Sequence, residues 1–154
     1  MDLIQDIHKW TANILIIIFI YSSMMWYWIG SQVEKINNVS FQALISLEKL
    51  ISSLMFILGV GVLISNPEWL SKKGVLLKIM LGIITVGLIH ICALKTKRYV
   101  EKGTEGLKEV KTLNILRGIT ILFLMTVYTT GTMIRAYNDQ SMIEEIKQIY
   151  QDED

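Results

Sequence analysis

Apolar positions in this chain gather into four long runs, roughly residues 11–30, 42–65, 74–94 and 113–133, separated by short polar segments. Crossing a hydrocarbon layer of about 30 Å takes about 20 helical residues, and the run from 11 to 30 holds no charge at all. The pattern predicts an all-α polytopic membrane protein, an antiparallel bundle of four transmembrane helices at about 9–30, 42–66, 74–95 and 112–136. These helices and their loops use nearly the whole length, so a single membrane domain over 1–154 is expected, ending in a short amphipathic acidic tail over 138–154. Tryptophans bracket the runs as interfacial belts would, Trp10 and Trp69 on one side and Trp26 and Trp28 on the other. Asn66 and Pro67, the only proline, stop the second helix sharply and set the second and third as an antiparallel hairpin. Gly59, Gly61, Gly82 and Gly87 lie within that hairpin, where small residues permit close helix approach. In the tail, Met142, Ile143, Ile146, Ile149 and Tyr150 share one helical face, and residues 104–111 read as a solvated connector to the fourth helix.

Composition narrows the function classes. Hydrophobic residues make up 52% of the chain and charged ones 19%, with a mean hydropathy of +0.45. A net charge of +1, with no phosphate-binding glycine loop and no paired-cysteine zinc spacing, argues against nucleic-acid binding and soluble nucleotide chemistry. The single cysteine, Cys92, sits in an apolar helix and is expected to pack there. Asp2 and Asp6 precede the first run and no small-residue cleavage pattern follows it, so it is expected to stay as an anchor rather than a secretion signal. The sequon Asn38-Val39-Ser40 is too short a pattern to weigh. Lys35, Lys95, Lys97, Arg98, Lys102, Lys108 and Lys111 fall on the side of the 31–41 and 95–112 loops, against Lys9, Lys72, Lys73, Arg135 and Lys147 on the other. The positive-inside rule then predicts a multi-pass protein of the inner (plasma) membrane with both termini outside the cytoplasm.

An ionisable side chain at the centre of a membrane helix costs about 2.5–3.5 kcal/mol on insertion scales, so each one at depth asks for a physical reason. His8 stands at the mouth of the first helix and Lys78 one turn into the third from the same side, which directs both toward a shared outer pocket. His90 lies twelve residues beyond Lys78, ~18 Å along the axis, toward the inner leaflet and the depth of Glu48, Lys49 and Arg117. That separation rules out one haem held by both histidines. A haem with one histidine and a methionine stays open, Met24, Met25, Met55 and Met80 being candidates. Copper handling has no Met-x-x-Met or Cys-His cluster to rest on. Structural roles compete with each of these: Lys49, Lys78 and Arg117 can snorkel to an interface, Glu48 and Arg117 can satisfy one another, and His90 can hydrogen-bond a neighbouring helix.

The run Ile57-Leu58-Gly59 through Leu63-Ile64-Ser65-Asn66-Pro67-Glu68-Trp69-Leu70, followed by Leu77-Lys78 and then His90, resembles the HemJ-type protoporphyrinogen oxidases and the wider CopD-like membrane proteins. His8, at the head of the first helix, is similar to the histidine those proteins carry there. The resemblance covers roughly residues 1–95. It fades in the fourth helix, where only Asn114 and Arg117 stand for the family's arginine, asparagine and glutamate cluster, and Gly74-Val75-Leu76-Leu77 precedes the lysine where the family has tryptophan and histidine. The resemblance implies a redox protein of haem biosynthesis that binds haem b, takes hydrogen from a porphyrinogen and passes electrons to quinone. His8 would be a haem ligand, His90 would serve cofactor binding separately on the inner-leaflet side, and Lys78 would act catalytically by attracting a propionate or substrate carboxylate. The alternative is a non-catalytic membrane subunit or scaffold, packed with a membrane-protein partner or a second copy of itself through the acidic tail and basic loop.

Overall fold

The structure, a computed structural model, describes residues 3–29, 39–72, 74–102 and 107–151. Four α-helices follow one another: α1 (Leu3–Ile29), α2 (Val39–Ser65), α3 (Val75–Lys102) and α4 (Leu107–Gln151), with a 3₁₀ turn at Pro67–Ser71 between α2 and α3. Each holds a span long and apolar enough to cross a membrane, and the described residues contain no strand. A helix closes all its backbone hydrogen bonds internally, as a hydrocarbon solvent requires. No more than 28% of any spanning window is buried inside the bundle, so most of the apolar surface faces outward. A lipid environment accounts for that exposure, and the chain is a multi-pass integral membrane protein.

The α2–α3 reversal shows how local chemistry ends a helix. The Asn66 backbone N–H and its side-chain Nδ2 both donate to Val62 O, at 3.0 and 3.3 Å, and close the last turn of α2, while Pro67, which has no N–H, cannot carry the ladder on. Gly74 takes a left-handed φ of +84° and lets the chain turn into α3, where Lys78 N–H donates back to Gly74 O at 3.0 Å. A Cβ there would also stand 3.3 Å from the Ile134 side chain of α4.

The bundle is built from two tight helix pairs, α1 with α2 and α3 with α4, joined along a seam by α2–α3 packing and a lighter α1–α4 contact. Two apolar layers fill the seam. One comprises Leu15, Phe19, Ile89, Cys92 and Leu124, and the other Trp26, Phe41, Ile45, Ala93, Tyr99 and Leu113, nearer the end opposite the Pro67–Ser71 turn. Cys92 is fully buried, as its apolar setting predicts.

Three expectations change. Trp26 is no interfacial anchor: it is 1% exposed, against 87% for Trp28 and 70% for Trp10. Its ring stacks on Phe41 and meets Tyr99 edge-on, and its Nε1 donates to Asn114 Oδ1 at 2.7 Å. Replacing Trp26 by Phe keeps the ring packing but orphans the Asn114 oxygen, and is expected to cost about 1–3 kcal/mol in a detergent unfolding titration. The hairpin glycines also serve otherwise: Gly59 and Gly61 receive His8 and Ile4 of α1, while Gly82 and Gly87 meet nothing within 4 Å. Finally, the acidic tail is no separate segment. Residues 138–151 continue α4, whose 45 residues span about 68 Å at 1.5 Å each, and the other helices also outrun their apolar cores, α1 beginning at Leu3. Of the tail's apolar face only Ile143 is described, and it is exposed; the side chains of Met142, Ile146, Ile149 and Tyr150, the sequon's Asn38 and the basic side chains Lys35, Lys102 and Lys108 lie outside what the structure describes.

Candidate functional site

At the end of the bundle that carries the Pro67–Ser71 turn, the seam opens into two adjoining cavities of about 420 and 270 Å³. His8 of α1 and Lys78 of α3 line both, so the structure brings together the pair that sequence arithmetic directs to one pocket. Missing side chains make the room. A Cβ on Gly59 would lie 3.4 Å from the His8 ring, and one on Gly131 only 2.9 Å from the Lys78 Nζ. Gly82 lines both cavities with open space in front of it. At the mouth, the Lys72 ammonium sits 5.3 Å from the centre of the Trp69 ring. His8 Nδ1 is buried and has no hydrogen-bond partner among the described residues.

Of the four candidate methionines, Met55 alone lines these cavities, and it lines both. Met24 and Met80 face outward and Met25 packs against the distant Trp26 layer. The larger cavity is walled in part by Phe56 and Val60 of α2 and Ile83 of α3, which are also exposed on the outer surface of their spans. It therefore opens sideways between α2 and α3, at hydrocarbon depth.

His90 belongs elsewhere. Its Nε2 lies 3.3 Å from both Ser52 Oγ and Ser53 Oγ of α2, and it lines neither cavity. Measured along α2, those serines stand six and seven residues from the Gly59 that receives His8, about 10 Å. The two imidazoles are thus closer in depth than opposite leaflets, because α1 starts at Leu3 and sets His8 more than a turn inside the helix rather than at its mouth. They still do not share a site.

Below the cavities, past the Leu15–Phe19–Leu124 layer, lies a second polar feature. Arg117 Nη1 of α4 donates to Ser22 Oγ at 3.0 Å, Ser23 Oγ at 3.1 Å and Glu48 Oε1 at 3.3 Å, while the Ser22 hydroxyl also bonds Glu48. The guanidinium carbon stands 5.4 Å from the Phe19 ring centre and 6.0 Å from that of Trp26. Glu48 and Arg117 do satisfy one another in part, as their depth suggests, and they tie the two helix pairs across the seam. Sequence reasoning passed over Ser22, Ser23, Ser52 and Ser53. The one signal was two serine doublets inside otherwise apolar runs, and serine is common enough in membrane helices to hide it.

Among the described residues, no group of three or more His, Cys, Asp or Glu side chains is placed to hold a metal ion. Set against family models, curated proteins and solved structures, the chain matches none.

Proposed function

We propose that this protein binds an amphipathic, carboxylate-bearing tetrapyrrole in the turn-end cavity, with haem b as the occupant, and serves as a membrane redox protein of the HemJ-like kind. The observation that carries the reading is the buried, unpartnered Nδ1 of His8 in a cavity that also holds the Lys78 ammonium. The residues present fit the group. His8 and Met55 would supply an imidazole and a thioether, a pairing some haem proteins use, and Lys78 would meet a propionate by a charge-assisted hydrogen bond. Bound haem would supply one-electron chemistry. The chain's own part is to hold and orient: Gly59 and Gly131 leave space for the two functional side chains, and the apolar walls keep water away. The lateral opening suits a ligand that arrives through the lipid, such as a porphyrinogen donor or a quinone acceptor.

Purified protein incubated with haem is expected to develop a Soret band, which His8→Ala abolishes and Lys78→Gln weakens by roughly tenfold or more in haem affinity. A wild-type protein that stays colourless contradicts the reading.

A second reading, a subunit held by a membrane-protein partner, draws on the continuation of α4 to Gln151. Seventeen helical residues follow the end of the spanning segment at Ile134 and project about 25 Å, with Ala136, Tyr137 and Ile143 exposed. Truncation after Tyr137 should then release a stoichiometric partner in mild detergent. A monomer that is indifferent to the truncation counts against it.

A further inference from the structure

We propose that Glu48 and Arg117 enclose an internal water that bridges their unused polar atoms in the middle of the bundle. The ion pair employs one carboxylate oxygen and one guanidinium nitrogen, Oε1 and Nη1. Glu48 Oε2, Arg117 Nε and Arg117 Nη2 are buried and have no hydrogen-bond partner among the described residues. Exposure of the two residues is 0% and 2%. Where lipid surrounds the bundle, bulk solvent cannot take the place of a missing partner, and a buried polar group without one is among the costlier features of a fold.

The donor set names the ligand. Whatever lies there must donate to Glu48 Oε2 and accept from Arg117 Nε–H and Nη2–H. An anion would suit the guanidinium but meet the carboxylate, and a metal cation would suit the carboxylate but meet the guanidinium. A neutral molecule that both donates and accepts is required, and it must be small. Water meets all three conditions, and a buried water makes about three hydrogen bonds, matching the three orphaned atoms. Leu15, Phe19, Ile89 and Leu124 close the layer toward the cavities, and Trp26, Phe41 and Tyr99 close it toward the other end. The water is therefore an enclosed structural ligand of the ion pair, separate from the contents of the cavity.

Nitrogen-15 NMR of the full chain in lipid nanodiscs tests this without altering the protein. The Arg117 Nε–H resonance is expected to show a cross-peak to water although its side chain is shielded from solvent. In parallel, an internal-water O–H stretching band, recognised by its shift when H₂O is replaced by H₂¹⁸O, is expected in the wild type and should be lost or displaced in Glu48→Gln. An Arg117 Nε–H with no water cross-peak, together with the absence of an isotope-sensitive internal-water band that depends on Glu48, overturns the proposal. Both readouts are independent of whether haem binds.

Discussion

Arg117→Ala is expected to destabilise the bundle by about 3–5 kcal/mol, the range for breaking a buried ion pair by removing one partner. The guanidinium donates to three side chains, Ser22 and Ser23 on α1 and Glu48 on α2. Its loss strands a carboxylate of 0% exposure and cuts the polar tie between the two helix pairs. Replacing both charges, as in Glu48→Leu with Arg117→Met, removes the partners together and should restore most of the loss, since apolar substitutes of similar volume often match a buried pair. Glu48→Leu alone should resemble Arg117→Ala. The check is reversible unfolding in mixed detergent micelles, comparing both single variants with the double. If the double variant is no more stable than Arg117→Ala, the pair is not what couples the halves of the bundle.

The second large effect is expected at Gly82, where filling empty space should abolish binding and spare the fold. A Cβ there meets nothing within 4 Å, and the residue borders both cavities. Gly82→Phe places a ring in that volume without displacing backbone, so unfolding should change by less than about 1 kcal/mol while haem affinity falls more than tenfold, a difference above 1.4 kcal/mol. Gly59→Leu makes the contrasting variant. Its side chain runs into the His8 ring, already 3.4 Å from the nearest possible Cβ, and should lower both stability and binding. Equal haem titrations for Gly82→Phe and the wild type would place the ligand outside this cavity.

What the sequence shows and what it hides follow from different physics. Span positions are legible because hydrocarbon thickness fixes the length of an apolar helix. The shared pocket of His8 and Lys78, and the Glu48–Arg117 pair, are legible because few ionisable groups lie at depth and axial rise sorts them by level. Trp26 was not legible. An indole with an apolar body and one donor suits an interface or a core equally, and only the tertiary partner Asn114, far away in the chain, decides between them. The glycines were ambiguous for a related reason: Gly59 and Gly131 matter through His8 and Lys78 on other helices. Continuity of α4 had a local signal, the absence of glycine and proline from Thr132 to Gln151, but the change from apolar to charged residues reads as a boundary when hydropathy alone defines the element.

Every distance above depends on four crossings that place the Pro67–Ser71 turn and the end of α4 on one side, and the end of α3 on the other. Thiol labelling of single-cysteine variants in intact cells or sealed vesicles tests this most directly, with Leu70→Cys, Arg98→Cys and Tyr137→Cys each made in a Cys92→Ala background. A membrane-impermeant reagent applied to one face is expected to modify Leu70→Cys and Tyr137→Cys together, and Arg98→Cys only from the opposite face. Labelling of Leu70→Cys and Arg98→Cys from the same face would contradict the four-crossing bundle.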